Sequence, residues 1–132
     1  MRILIVGEEG RPHALEGALE AAGMDVERAP EDALPNARGD QVGELAGALL
    51  AFDRLLSDDP PDGVLLVSAS NLALAAVLVA GKCHIPVAIL GEEAPEGRAS
   101  DLNRRLVEQL ADGTVADDRA AIATALRDLI TA

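Results

Sequence analysis

A three-layer α/β/α domain built on about five parallel strands is the fold class this sequence predicts. From Pro60 to Asp112 a buried strand, an apolar helix and a second buried strand follow one another without interruption. Val64-Leu65-Leu66-Val67 and Val87-Ala88-Ile89-Leu90 are apolar at every position, not at alternate ones, so both faces of each strand must be covered. Their connection, a helix of about three turns, makes a right-handed parallel crossover. Hydrophobic residues are 49% of the chain and aromatics 1%, so the core must be aliphatic helices packed on an aliphatic sheet.

The elements follow in order. Arg2 to Val6 is the first strand. A helix from about Pro12 to Ala22 places Leu15, Ala18, Leu19 and Ala22 on one face, with Pro12 suited to a first helical position and Gly23 closing the helix. Asp25 to Ala29 is a short strand toward an edge, and Pro30 to Gly39, rich in Pro, Asp and Asn, is a loop expected to be the most mobile segment. A helix from Asp40 to Leu56 carries Val42, Leu45, Ala46, Leu49, Phe52 and Leu56 as its inner stripe. After the strand ending at Val67, Ser68-Ala69-Ser70-Asn71 supplies capping side chains for a helix from Leu72 to Gly81. Beyond the next strand, a helix from Ala99 to Ala111 presents Leu102, Leu106 and Leu110 at four-residue spacing. Thr114 to Ala116 is a fifth strand, and Arg119 to Ile130 a closing helix that uses Ile122, Leu126, Leu129 and Ile130.

Such a chain is a single Rossmann-like domain over residues 1–132, with strand order 2-1-3-4-5 and a crevice where the first and third strands end side by side. Ligands of doubly wound sheets bind at that switch point. The loops there run from Gly7 to Arg11, Ser68 to Asn71 and Gly91 to Arg98.

Charge and cysteine usage exclude several classes. A net charge of −12 opposes nucleic acid and anionic membranes, whose phosphates need Lys and Arg to neutralise them. The clustered cations Arg98, Arg104 and Arg105 sit among Glu92, Glu93, Glu96 and Asp101, the pattern of a solvated mixed face. Cys83 is the sole cysteine, which rules out an intrachain disulfide, and one Cys with the separated His13 and His84 offers no zinc spacing. No cofactor and no metal is expected. Ile3 to Val6 is too short an apolar run for a signal peptide, and Leu72 to Gly81 is about half of the roughly 20 residues a membrane span needs. A cytoplasmic location is the resulting expectation.

Each loop has a functional and a structural reading. Gly7-Glu8-Glu9-Gly10-Arg11 has Gly-x-x-Gly and not the dinucleotide fingerprint, and its two carboxylates repel phosphate unless Arg11 offsets them, so a plain tight turn stands beside nucleotide binding. Ser68, Ser70 and Asn71 put neutral hydrogen-bonding groups at a helix start, fit either for an anionic group or simply for capping. The acids Glu92, Glu93, Glu96 and Asp101 suit acid-base work or serve only solvation and the helix dipole. His13, at a helix start over the crevice, is the histidine placed for proton transfer.

Several of these segments together resemble the amino-terminal half of the non-hydrolysing UDP-N-acetylglucosamine 2-epimerases. The matching residues are Pro61-Asp62-Gly63-Val64-Leu65-Leu66-Val67, Leu72-Ala73-Leu74-Ala75-Ala76, Ile85-Pro86-Val87-Ala88, then Asn103-Arg104 with Leu110-Ala111-Asp112. Gly10-Arg11-Pro12 is similar to that family's Gly-Thr-Arg-Pro-Glu loop, with one residue fewer and His13 in place of Glu. The likeness covers most of the chain except Met24 to Asp58. Together with the loop readings above, which supply His13, Ser68, Ser70 and Asn71, it gives Asp101, Glu92 and His13 as catalytic candidates, and Gly10, Arg11, Ser68, Ser70, Asn71, Asn103 and Arg104 as ligand-binding ones.

The departures are equally specific. The family's Gly-Asp-Thr after the third strand is here Ser68-Ala69-Ser70, without a carboxylate, Glu92 meets the family's Glu-Ala-Gly only with a one-residue shift, and its Glu-Glu-x-Asn-Arg is shortened to Asp101 before Asn103-Arg104. The family is bilobal, and 132 residues hold one lobe.

Three functions follow as expectations. The first is a single-lobe relative, non-catalytic by itself, that dimerises and takes a small anionic or sugar-nucleotide ligand. The second is a subunit of a split GT-B-type epimerase or glycosyltransferase completed by a separate carboxyl-terminal lobe. The third is a regulatory or interaction domain resembling a response-regulator receiver, though the strand ending at Val67 is followed by no phosphorylatable Asp. The helix from Leu72 to Gly81 has almost no polar face, which points to a two-fold interface with its copy or to docking of the second lobe.

Overall fold

The computed structural model describes residues 1–7, 13–29, 39–91 and 98–132, with the side chains of residues 13–14 and 98–101 left aside. The strands are β1 (Arg2–Val6), β2 (Asp25–Arg28), β3 (Gly63–Leu66), β4 (Val87–Leu90) and β5 (Gly113–Val115). They alternate with α1 (His13–Ala21), α2 (Gln41–Asp58), α3 (Asn71–Lys82), α4 (Arg98–Leu110) and α5 (Ile122–Thr131). The sheet order is β2-β1-β3-β4-β5, and every neighbouring pair is parallel. The predicted architecture and strand order are those observed. The loop expected from Pro30 to Gly39 lies, but for its last residue, outside the described residues.

Alternation along the strands divides the core. Ile3, Ile5, Leu65, Val67, Ala88, Leu90 and Val115 face Leu15 and Leu19 of α1 and Ile122 and Leu126 of α5. Leu4, Val6, Val64, Leu66, Val87 and Ile89 face α2, α3 and Val107 of α4. Helices on both sides explain why β3 and β4 are apolar throughout.

On the second side α3 lies between α2 and α4 and against the sheet. Ala73, Leu74, Ala75, Ala76, Val77 and Ala80 are buried there, which accounts for most of the apolar character that the sequence assigns to an outside partner. Two expected stripes are corrected. Val42 and Ala46 of α2 face outward, and the buried positions are Gly43, Gly47, Ala48, Phe52 and Leu56, because small residues let α2 approach the Ala-rich α3 closely. In α4 the leucines at positions 102, 106 and 110 are 40–51% exposed, and the inward positions belong to Asn103 and Val107.

The amino ends of the strands are closed by one device used twice. Asp62 donates its backbone N–H to the Arg2 carbonyl and accepts the Arg2 N–H on its carboxylate at 2.7 Å. Asp112 does the same toward Val87, with the carboxylate again at 2.7 Å. Each is followed by a glycine over which α5 closes: a Cβ on Gly63 would lie 2.5 Å from Ile130 Cδ1, and one on Gly113 2.5 Å from Leu129 Cδ1.

Candidate functional site

Three exits from the sheet lie at the carboxyl ends of β1, β3 and β4. Gly7 leaves β1 packed so closely on β3 that an added Cβ would sit 1.8 Å from Val67 Cγ2 and 3.5 Å from Ser68 Oγ. The backbone there leaves room for no side chain. Gly91 leaves β4 while its N–H donates to the Val115 carbonyl at 2.8 Å. Between them the chain from Val67 to Asn71 turns into α3.

Two serines flanking Ala69 in this turn are in opposite states. Ser70 is the helix N-cap, its Oγ accepting the Ala73 N–H at 3.2 Å. Ser68 Oγ is buried and has no hydrogen-bond partner among the described residues. A buried hydroxyl without a partner costs about 1–3 kcal/mol, so its presence calls for a physical reason. The only other such side-chain atom among the described residues is Arg28 Nη2, at the last residue of β2, whose Nε donates to Glu16 on α1.

Asn71 and Asn103, two of the expected ligand-binding residues, are brought together and committed inward. The Asn103 amide donates to Asn71 Oδ1 at 3.0 Å, and the Asn71 amide donates to Gln41 Oε1 at 2.6 Å and Glu44 Oε1 at 3.1 Å. This chain of bonds ties the first turns of α2 and α3 to the second turn of α4. It also explains why a polar residue, Asn103, takes the buried place on α4. Asp40 caps α2 by accepting the Gly43 N–H at 2.7 Å. Arg104 donates from Nε to Glu108 Oε1 at 2.7 Å along its own helix.

Gly10, Arg11 and Glu92 lie outside the described residues. His13 opens α1 and Asp101 lies in the first turn of α4, both helices whose starts face the carboxyl ends of the strands, with their side chains outside the described set. Asp112, another residue of the resemblance, has a structural role at the opposite end of the sheet from these loops. Sequence reasoning did not single out Glu44, Gln41 or Arg28. Gln41 and Glu44 are separated from Asn71 by 30 and 27 positions and carry no motif, so only the fold joins them.

Among the described residues no group of three or more His, Cys, Asp and Glu is arranged to hold a metal ion, and no helix is long and apolar enough to cross a membrane. Cys83 is exposed at the C-cap of α3, and His84 beside it has a left-handed φ of 59°.

No protein-family model matches the chain, and no curated protein sequence matches it. Solved structures do match. A UDP-GlcNAc 2-epimerase from Methanocaldococcus jannaschii, in complex with UDP-GlcNAc and UDP, superimposes with a TM-score of 0.74 at 21% identity over 97% of this chain and 43% of that one. The enzyme from Neisseria meningitidis bound to UDP-GlcNAc gives 0.67 at 19% identity, over 96% of this chain and 43% of that one. The Rickettsia bellii UDP-N-acetylglucosamine 2-epimerase gives 0.68 at 13% identity, over 97% and 43%. The chain therefore carries, over less than half the length of those proteins, the fold of the UDP-N-acetylglucosamine 2-epimerases that its sequence motifs resemble.

Proposed function

We propose that this chain is a single-lobe relative of the sugar-nucleotide epimerases, non-catalytic by itself, that self-associates and takes a small anionic or sugar-nucleotide ligand at the carboxyl ends of β1, β3 and β4. The observation that carries the ligand reading is the buried Ser68 hydroxyl, without a partner among the described residues, beside Gly7 at the switch point. A site of this kind leaves a polar group unsatisfied in the free protein and bonds it to the ligand. The solved neighbours bound to UDP-GlcNAc and UDP supply the ligand class. In this reading Arg11 and Gly10 meet the anionic group, Ser68 and Ser70 line the floor, and Asn71, Asn103 and Arg104 hold the start of α4. Asp101, Glu92 and His13 are the acid-base groups available to a completed site.

Titration calorimetry with UDP-N-acetylglucosamine and UDP tests the reading. Micromolar binding that weakens in Arg11→Ala and Asp101→Ala supports it. The absence of heat with both nucleotides refutes it.

A second reading rests on length. The chain spans 43% of each of the solved proteins named above, so completion by a separate carboxyl-terminal lobe would supply the rest of a bilobal site. Co-purification with such a chain, together with epimerase activity of the pair alone, favours this second reading.

A further inference from the structure

The two edges of the sheet differ in character. β5 is three residues long and carries no charged residue, whereas β2, Asp25-Val26-Glu27-Arg28, is charged at three of its four positions. The N–H groups of Asp25 and Ala29 donate to the carbonyls of Met1 and Ile5, at 2.9 Å each. Alternation along a parallel ladder therefore turns the N–H and C=O of Val26 and Arg28 to the outer edge, where no described residue bonds them.

The surroundings of that edge are acidic, and the cations near it are already committed. An open groove of about 610 Å³ lies against the first half of β2, lined by the exposed Glu20, Asp25 and Glu27 together with Arg2. Arg2 is paired with Asp59 at 2.7 Å and with Glu27 at 3.5 Å, Arg28 donates to Glu16, and Arg127 donates to the Ala22 carbonyl at 3.2 Å. Asp25 and Glu27 alternate with Val26 and Arg28, so the two carboxylates stand on one face of the strand.

We infer that β2 is a docking edge for an extended basic segment of another protein, which adds a strand to the sheet and sets Lys or Arg beside Asp25 and Glu27. Backbone pairing with Val26 and Arg28 supplies the attachment, and the two carboxylates supply the choice of partner. Charge selects the occupant. If the β2 edges of two copies met, each would bring its own Asp25 and Glu27 against the other's, and a chain of net charge −12 repels its copy already at a distance. An edge of one sign keeps copies apart, and by the same physics it accepts the opposite sign. A segment with cations at alternate positions meets a carboxylate at each, while its intervening side chains lie beside Val26 and the mutually neutralising Arg28 and Glu16. The groove is at the amino half of β2, away from the loops at the carboxyl ends of β1, β3 and β4. The inference therefore goes beyond the proposed function and is independent of it.

Titration of the full ¹⁵N-labelled chain with the end-blocked peptide Lys-Val-Lys-Val-Lys-Val, followed by amide shifts and amide exchange, tests it. A Kd on the order of 100 µM is expected, weakening as salt is raised, with exchange of the Val26 and Arg28 amides slowed at saturation. The same peptide N-methylated throughout keeps its charges but cannot pair along a strand, and should show no binding. Asp25→Lys combined with Glu27→Lys should weaken the basic peptide at least ~10-fold and confer binding of Glu-Val-Glu-Val-Glu-Val. Both positions are exposed, so circular dichroism should match the parent; Asp25→Asn with Glu27→Gln removes the charge without reversing it and should also weaken the basic peptide. No binding at about 1 mM peptide, equal binding of the N-methylated form, an affinity unchanged in both double variants, or protection away from Val26 and Arg28 would overturn the inference. Binding of UDP-N-acetylglucosamine to the double variants should match the parent, which separates failure here from failure of the ligand reading.

Discussion

Replacing Ser68 by Ala should stabilise the free protein and weaken binding of the proposed ligand. Ser68 Oγ is buried with no partner among the described residues, next to Val67, which is 1% exposed, and close to Gly7. An unsatisfied buried hydroxyl costs about 1–3 kcal/mol, and removing it leaves a void smaller than a methyl group. A net gain of about 1 kcal/mol is expected, which for a domain of this size raises Tm by about 3–5 °C. The proposed ligand would lose one hydrogen bond, about 0.5–1.5 kcal/mol, so its Kd should rise by roughly 2- to 12-fold.

The internal control is two residues away. Ser70 Oγ caps α3 by accepting the Ala73 N–H, so Ser70→Ala should cost about 1 kcal/mol. The same chemical change thus has opposite signs at two serines flanking Ala69. Calorimetric melting of the two variants, followed by titration with UDP-N-acetylglucosamine, reads both quantities. If Ser68→Ala lowers Tm as Ser70→Ala does, the Ser68 hydroxyl is satisfied within the protein and the ligand reading loses its support.

Other expectations follow from the same structure. The caps of α1 and α3 have the same pattern of bonds, Met24 N–H to the Leu19 carbonyl and Ile85 N–H to the Ala80 carbonyl, but the left-handed position is Gly23 in one and His84 in the other. His84→Gly should therefore stabilise by about 1 kcal/mol, and Gly23→Ala, which meets no atom within 4 Å, should cost about 1–2 kcal/mol from backbone conformation alone; chemical denaturation reads both. Asp112→Ala orphans the Val87 N–H and should cost about 1.5–3 kcal/mol, most of it recovered by Asp112→Asn, which keeps an acceptor; equal losses in the two variants would mean that the carboxylate bond contributes little. Gly7→Ala places a Cβ 1.8 Å from Val67 Cγ2 and should destabilise by at least about 1–3 kcal/mol, and an unchanged Tm would show that β1 and β3 separate there at little cost.

The sheet order was readable in the sequence because β3 and β4 are apolar on both faces and only a covered parallel sheet accepts such strands. The orientation of α4 was not. Leu102, Leu106 and Leu110 make a better apolar stripe than Asn103 and Val107, yet α4 turns Asn103 inward because Asn71 offers it a partner 32 positions away. Periodicity registers hydrophobicity and cannot register a tertiary hydrogen bond. The same limit hid the inner face of α2, where Gly43, Gly47 and Ala48 are buried because α3 is rich in alanine at the contact. At the site, the turn after β3 was located correctly, but Ser68 and Ser70 are the same residue type in nearly the same context. What separates a cap from an orphaned hydroxyl is whether a helical N–H lies within reach, and that is a property of the fold.

The two ends of the sheet differ in how completely their polar groups are satisfied, and that difference bears on function. At the amino ends, Asp62 and Asp112 each join a neighbouring strand through a reciprocal pair of bonds, and α5 closes over the glycine that follows. At the carboxyl ends lie both of the buried side-chain atoms without partners among the described residues, Arg28 Nη2 on β2 and Ser68 Oγ after β3, on either side of β1. Both lie at the end where the order of a doubly wound sheet reverses, the end at which the proposed ligand would meet Ser68. On that reading the stability of the chain should respond asymmetrically: removing Asp62 or Asp112 carboxylate oxygens at the amino ends should cost free energy, and removing Ser68 Oγ at the carboxyl ends should return some.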